Sequence, residues 1–539
     1  MLDAWISWLA LLGPLALVLA GLWPWHGADD RPRPMARRAE AAAAAALVTA
    51  LATLAAWATL GVRAHAAAGV VYIDALSAVM LTLVSFVGSV VIRYSRNYLD
   101  GDPQQVRFFR LLCLTLASVL TLIVSGNLLL FAAAWISTSL GLHQLLLFYA
   151  DRPAARLAAR KKFLVSRLGD ICLIGALALI WRSFGAIDFA TILPAAKGLS
   201  AAGLIPAASP WIAVLLAAGA LLKSAQLPFH GWLLEVMETP TPVSALLHAG
   251  IINAGGFLVL RFGDVIALSV PSLDLLAIVG GLTALFGSVV MLTQTSVKVS
   301  LAYSTIAQMG FMILQCGLGA FSAALLHIVA HSLYKAHAFL SSGSVIDLAR
   351  ASWSPSPGGQ PHPARMLLGT GAVLLVTLAP AMLFGASPTE KPGVFALGAI
   401  MLFGLAHLIA QAIDERPNSY VIGRTLAVAT AVASVYFTLQ RLTELLLAGS
   451  LPPTQALRGP VDLAIVVLVV LSFGALTVFQ SLLARHAGEP RWQALYVHVA
   501  NGFYVNTLTN RLVLRFWPAG PARPDNSASS LTHELGAQP

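Results

Sequence analysis

The sequence predicts an all-α polytopic membrane protein of about 14–15 transmembrane helices. Three observations carry that prediction. The 539 residues are 58% hydrophobic, with a mean hydropathy of +0.80. Only 10% are charged, against about 25% in soluble domains. Apolar stretches near the roughly 20-residue length that crosses a bilayer recur from end to end.

Taken in order, the spans fall near 2–23, 39–62, 73–92, 108–125, 127–149, 163–183, 210–228, 242–262, 271–293, 299–319, 321–345, 365–386, 392–413, 421–446 and 460–484. The first is too long for a signal-peptide core. It has no basic leader and no cleavage site after it, so it is expected to be a retained helix. The alanine run Ala41–Ala46 inside span 2 suits close helix packing. Arg31, Arg33, Arg37 and Arg38 follow span 1, and Arg93, Arg96, Arg107 and Arg110 surround the loop after span 3. Arg152, Arg156, Arg160, Lys161 and Lys162 follow span 5. The positive-inside rule makes these loops cytoplasmic, with the N-terminus outside and the segment from Arg485 inside. They account for the net charge of +10, and no nucleic acid is needed to explain it. Cys113, Cys172 and Cys316 all lie within spans without paired spacing, which speaks against disulfides and metal sites.

No soluble catalytic domain is present. The longest hydrophilic stretches are Trp353–Arg365 and the tail after Arg485. Within the tail, Trp492–Tyr504 mixes aromatic, aliphatic and polar residues in a way that suits the membrane surface or a partner. Pro518–Pro539 reads as disordered. The expected organisation is N-terminal helices over 1–107, a functional core over 108–345, C-terminal helices over 346–484, and a cytoplasmic amphipathic segment with tail over 485–539.

The chemistry concentrates in the core. His327, His331 and Lys335 recur every fourth residue, which places them on one face of one helix. A lysine near the bilayer centre costs roughly 2.5–3.5 kcal/mol on insertion scales, so three ionisable groups in register predict a proton relay. Span 7 ends Lys223-Ser-Ala-Gln-Leu-Pro228-Phe-His230-Gly-Trp232. Pro228 removes a backbone donor and clashes with the carbonyl four residues back, that of Ser224. The helix should therefore loosen beside Lys223 and admit water. Burial disfavours a lysine's charged form, which suits a group that exchanges protons.

Span 8 starts rigidly at Pro240-Thr-Pro242 and carries His248, which is expected between Lys223 and the histidine stripe. Glu235 and Glu238 lie in the connecting turn, as surface charge or as supporting groups. Arg167 and Asp170 are spaced i,i+3 and are expected to pair at the membrane edge. Lys298 fits an interfacial anchor at the entrance of span 10, and His407 is the ionisable candidate of span 13. The chain carries no thiolate and histidine set suited to zinc. It has no Gly-rich nucleotide loop and no haem or iron–sulfur pattern. It is therefore expected to be a transporter subunit and not an enzyme, with no cofactor of its own.

Lys223–Trp232, Pro240–His248 and Leu301-Ala-Tyr-Ser-Thr-Ile-Ala-Gln-Met-Gly310 closely resemble the proton-translocating, antiporter-like subunits of respiratory complex I and the Mrp cation/proton antiporters. Phe163–Asp170 and His327–Ser344 resemble the same family, most of all its subunit L (chain 5) branch. The match spans roughly 70–345 and is highly specific. The resemblance implies an antiporter-like fold with broken helices in a bacterial inner membrane. It also implies a hydrophilic axis in which Lys223 and Lys335 are joined by His248, His327 and His331.

Two departures qualify it. Where the family usually has a glutamate after the tryptophan matching Trp135, this chain has Ile136, then Ser137, Thr138 and Ser139. The long lateral helix of subunit L, with its anchoring spans, does not follow span 15. With these departures the chain looks like the membrane component of the DAB inorganic-carbon accumulation complex. That resemblance implies a large cytoplasmic zinc-containing partner of the β-carbonic-anhydrase type (DabA type), with zinc in the partner. The expected function is conduction of protons or another cation down their gradient to drive that partner. The alternatives are an ion-translocating subunit of a respiratory NADH-quinone oxidoreductase or Mrp-type antiporter, and a non-conducting membrane anchor.

Overall fold

The computed structural model describes residues 2–23, 32–60, 64–67, 69–236, 239–343, 368–369, 371–372, 390–412, 419–456, 458–483, 486 and 488–517. The span expected at 365–386 lies almost wholly outside these residues, as do the tail 518–539, Glu238 and Ser344.

The N-terminal helices α1 (Leu2–Leu22) and α2 (Pro32–Leu60) pack on each other, and α2 also packs on α3 (Ala75–Tyr98). Ala36, Ala39, Ala43, Ala46 and Ala50 are all buried on α2, so the alanine run does serve close packing. Between α2 and α3 lies a small antiparallel hairpin, β1 (Ala64–Ala67) with β2 (Val71–Asp74). Asp74 ends it and caps α3 by accepting from the Ser77 amide at 2.8 Å. The same carboxylate pairs with Arg261 at 2.9 Å, both side chains being 1% exposed. This buried pair fastens the hairpin to the core.

Next come α4 (Gln105–Val124), α5 (Leu128–Leu146) and α6 (Pro153–Phe184). Proline at the first helical position starts α6 ten residues before its apolar run. The basic stretch after span 5, read from sequence as a loop, is therefore largely helical. Lys161 and Lys162 are buried in it, at 2% and 3% exposure. A short helix, α7 (Phe189–Ala201), occupies the stretch expected as a loop, with Asp188 capping it through the Thr191 amide at 2.9 Å.

The core continues with α8 (Ser209–Lys223), α9 (Gly231–Glu235), α10 (Thr241–Ala249), α11 (Ala254–Arg261) and α12 (Gly263–Ile266). The long helices α13 (Val270–Met291), α14 (Val297–Gly317) and α15 (Phe321–Leu340) follow. Helices α13 and α14 approach so closely that a Cβ on Gly310 would stand 2.5 Å from the Ala284 nitrogen. Only glycine permits that contact. The C-terminal helices are α16 (Pro392–Ala412), α17 (Ser419–Leu447) and α18 (Pro460–Leu483), and the amphipathic segment forms α19 (Pro490–Ala500) and α20 (Val505–Phe516).

By length and composition, ten described helical stretches suffice to cross a bilayer, counting α10 and α11 as one, and α1, α8 and α16 contribute shorter apolar helices. Burial is uneven. The apolar window of α10–α11 is wholly inside the protein, while those of α17 and α18 are 17% and 22% buried. The broken span sits at the centre, and the C-terminal helices lie at the periphery with most of their apolar surface uncovered.

Candidate functional site

Two helix breaks meet at the centre of the core. The first helix, α8, stops at Lys223, as the proline five residues on predicts. Ala225 follows in the left-handed region at φ 50°, a conformation that costs a non-glycine residue. Facing it, the α10–α11 span opens at Gly250 and passes through a single 3₁₀ turn, Ile251–Asn253. The Ser224 hydroxyl donates to the Ile252 carbonyl at 3.2 Å, so the two breaks are hydrogen-bonded to each other. Gly255 makes this approach possible. A Cβ there would stand 2.2 Å from Ser224 Oγ and 2.4 Å from the Ala220 carbonyl.

Lys223 lies on one side of this junction. Its Nζ is buried, sits 4.3 Å above the Trp135 ring and has no hydrogen-bond acceptor among the described residues. Trp135 donates its indole N–H to Asp170 Oδ1 at 2.9 Å. Arg167 pairs with the other oxygen of Asp170 at 2.7 Å. Trp135 thus stands between Asp170 and Lys223, touching both, and the two make no direct ion pair. The Arg167–Asp170 pair thus forms as its spacing predicts, but not at the membrane edge. Because α6 begins early, the pair lies mid-helix, with Asp170 buried against Trp135. Lys162 reaches the same region from one turn earlier, donating to the carbonyl and, at 3.0 Å, the hydroxyl of Ser139.

On the other side, α10, α14 and α15 bring the remaining groups together. His248 is fully buried, with Nδ1 2.9 Å from the Thr305 hydroxyl and its ring stacked on Phe339 at 4.3 Å. Lys335 is equally buried and donates to the Leu301 carbonyl at 3.1 Å and to the Ser304 hydroxyl. His331 is an electrostatic neighbour of His248, His327 and Lys335, and the rings of His327 and His331 are 6.1 Å apart. Asn253, inside the α10–α11 break, donates to Ser332 at 2.9 Å. A cavity of about 820 Å³ opens along this row, with Ser304, Gln308, Gln315, His327 and His331 among its polar lining residues. One nitrogen on each of His248, His327 and His331 is buried without a protein partner among the described residues. Buried polar atoms are rarely left unsatisfied, and the histidine and glutamine side chains form a polar strip along one wall of an otherwise apolar cavity.

The structure therefore gathers all five predicted pathway residues into two clusters flanking the paired breaks. No direct hydrogen bond joins Lys223 to His248 among the described residues. The supporting residues scatter. His230 is buried against Phe286 at 4.9 Å, with neither ring nitrogen bonded among the described residues. Glu235 pairs with Lys161 at 2.7 Å. Lys298 reaches the Thr241 hydroxyl at 3.4 Å, which ties it to the start of α10. His407 lies on α16, and its side chain falls outside the described residues. Sequence reasoning missed Trp135, Lys162, Ser139 and the burial of Asp170. The early proline of α6 signals the burial of its basic start, and the family resemblance at Trp135 marks that helix as a neighbour of Lys223.

Broken helices, paired across a buried row of lysines and histidines, define an antiporter-like membrane subunit. The family model described as "NADH:quinone oxidoreductase/Mrp antiporter, TM" matches residues 125–356. That of "NADH-Ubiquinone oxidoreductase (complex I), chain 5 N-terminus" matches 63–109. A "Probable inorganic carbon transporter subunit DabB2" from Halothiobacillus neapolitanus is 41% identical over 86% of this chain and 83% of its own. The NAD(P)H-quinone oxidoreductase chain 5 of Synechocystis sp. is also 41% identical, but over 54% of this chain and 43% of its own. A chain of the Mrp complex from Dietzia sp. DQ12-45-1b shares the fold, with a TM-score of 0.61 and 23% identity. The alignment covers 98% of this chain and 62% of that one. This chain belongs to the DabB family of antiporter-like membrane subunits.

Proposed function

We propose that the chain is the membrane subunit of an energy-coupled inorganic-carbon accumulation complex. Cations, in the first instance protons, move down their gradient along Lys223, His248, His327, His331 and Lys335. Their flow drives a cytoplasmic zinc-containing partner of the β-carbonic-anhydrase type, which converts carbon dioxide to bicarbonate. One observation carries the conduction half of this reading. Two buried clusters of titratable groups flank paired helix breaks, and a largely apolar cavity onto which His327, His331, Gln308 and Gln315 open runs along one of them. Inside a membrane such groups are expensive and mark ion pathways, and broken helices persist only where protein or water satisfies them. The carbon half rests on kinship over most of both chains with the inorganic carbon transporter subunit.

The test is growth in air of a bacterial strain lacking carbonic anhydrase. Expressing the chain with its partner should restore growth, and a protonophore should abolish the rescue at concentrations the parent strain tolerates. Rescue indifferent to protonophore, or absent with both proteins well expressed, contradicts the reading. Co-isolation with flavin and iron–sulfur proteins would instead assign the chain to a respiratory complex.

A further inference from the structure

The segment that follows α18 docks on the end of the core that carries the basic start of α6, the end the positive-inside rule makes cytoplasmic. Tyr496 on α19 donates to the Thr293 carbonyl at 3.2 Å, and Gln294 donates to the Ala500 carbonyl at 3.0 Å. Asn506 and Asn510, one turn apart on α20, both accept from the buried Lys161 ammonium. Lys161 also holds Glu235, so α20 rests on the connector that follows the broken lysine helix. At its far end Trp517 packs edge-on against Phe163, and Arg160 lies over its ring.

The polar edge of α20 therefore faces the protein, and its remaining surface divides in two. Leu508, Leu512 and Phe516 form one stripe at i, i+4 and i+8, exposed at 62%, 57% and 78%. Arg511 and Arg515 form an adjacent exposed stripe. An unshielded apolar stripe of this kind needs a cover. Two features say what the cover is. The apolar end of α20 meets α6 at Phe163, next to Leu164, Leu168 and Ile171, which are exposed on a membrane-crossing helix and so face lipid. The stripe thus continues a lipid-facing surface. In addition, no Asp or Glu occurs from Pro490 to Trp517, while Arg491, Arg511 and Arg515 do, which complements the anionic cytoplasmic leaflet. An apolar stripe beside a basic one, with a tryptophan at the end, is the composition of helices that lie in the membrane interface.

We infer that α20 is an interfacial helix that binds an anionic phospholipid surface through Leu508, Leu512 and Phe516. Lys161 clamps the other edge of the helix to the core. The inference stands apart from the transport reading, because it requires no ion movement.

Spin labels test it on the full-length chain, purified without partner proteins and placed in phosphatidylcholine–phosphatidylglycerol vesicles. Cys172→Ala removes the partly exposed native thiol, Cys113 and Cys316 being buried. Single variants Leu508→Cys, Leu512→Cys, Phe516→Cys and, as the control on the basic side, Thr507→Cys carry the label at exposed positions. The first three labels should be accessible to oxygen and shielded from a water-soluble nickel chelate, with the reverse at Thr507→Cys. Equal chelate access at all four sites overturns the inference. So does shielding of the stripe that appears only when a soluble partner is added, which would make this a protein-docking face.

Discussion

The two lysine sites solve the same problem differently. Lys223 has a carboxylate beside it: Asp170, held in place by Trp135 and Arg167. Among the described residues Lys335 has a carbonyl, a hydroxyl, the Tyr334 ring and neighbouring imidazoles. One carboxylate, already paired with Arg167, serves the cations of the first site, whereas neutral acceptors serve the second. With Ile136 after Trp135, the acid nearest Lys223 among the described residues lies on the next helix, and Trp135 touches both. On this account, removing an acid disturbs only the first site, and removing a neutral acceptor only the second.

The largest effect should come from Lys335→Ala. It deletes the lysine of a site without a paired carboxylate among the described residues, and cation flux into vesicles should fall by roughly 10²-fold or more, the scale on which a positioned proton-transfer group acts. Asp170→Asn keeps the shape and the Trp135 contact but leaves Lys223 unbalanced. Flux should drop about tenfold, equivalent to ~1.4 kcal/mol on the barrier. Adding Ile136→Glu should recover much of the loss, and failure to do so would break the equivalence of the two acids. Gly255→Ala attacks the junction between the sites. Its methyl group overlaps Ser224 and Ala220, and overpacking of this kind costs roughly 1–3 kcal/mol, visible as a lower melting temperature in detergent with both sites chemically intact. The smallest effect belongs to Thr305→Val. It removes the hydroxyl on His248 Nδ1, worth about 1 kcal/mol, and should slow flux only a few-fold while leaving the Lys223 side unchanged.

Much of this was legible in the sequence, for stated reasons. The His327–His331–Lys335 stripe is visible because helical period is local. The end of α8 at Lys223 is visible because Pro228 acts on its own helix. What escaped depends on distance. Asp170 reads as half of a pair at the membrane edge until the early start of α6 places it mid-helix, buried against Trp135. Lys161 and Lys162 read as loop charges, although α6 buries them, one against Asn506 and Asn510 more than 340 positions away and the other against Ser139. The break at Gly250–Asn253 contains no proline. Its ties are tertiary, from Ser224 to Ile252 and from Asn253 to Ser332.

The most direct measurement is valinomycin-driven proton uptake by proteoliposomes holding the chain with its partner. A potential negative inside should draw protons in at a steady rate with the unaltered chain. Lys335→Ala, equally well incorporated, should match protein-free vesicles. Uptake by that variant at the unaltered rate would contradict a route through the buried lysines and histidines.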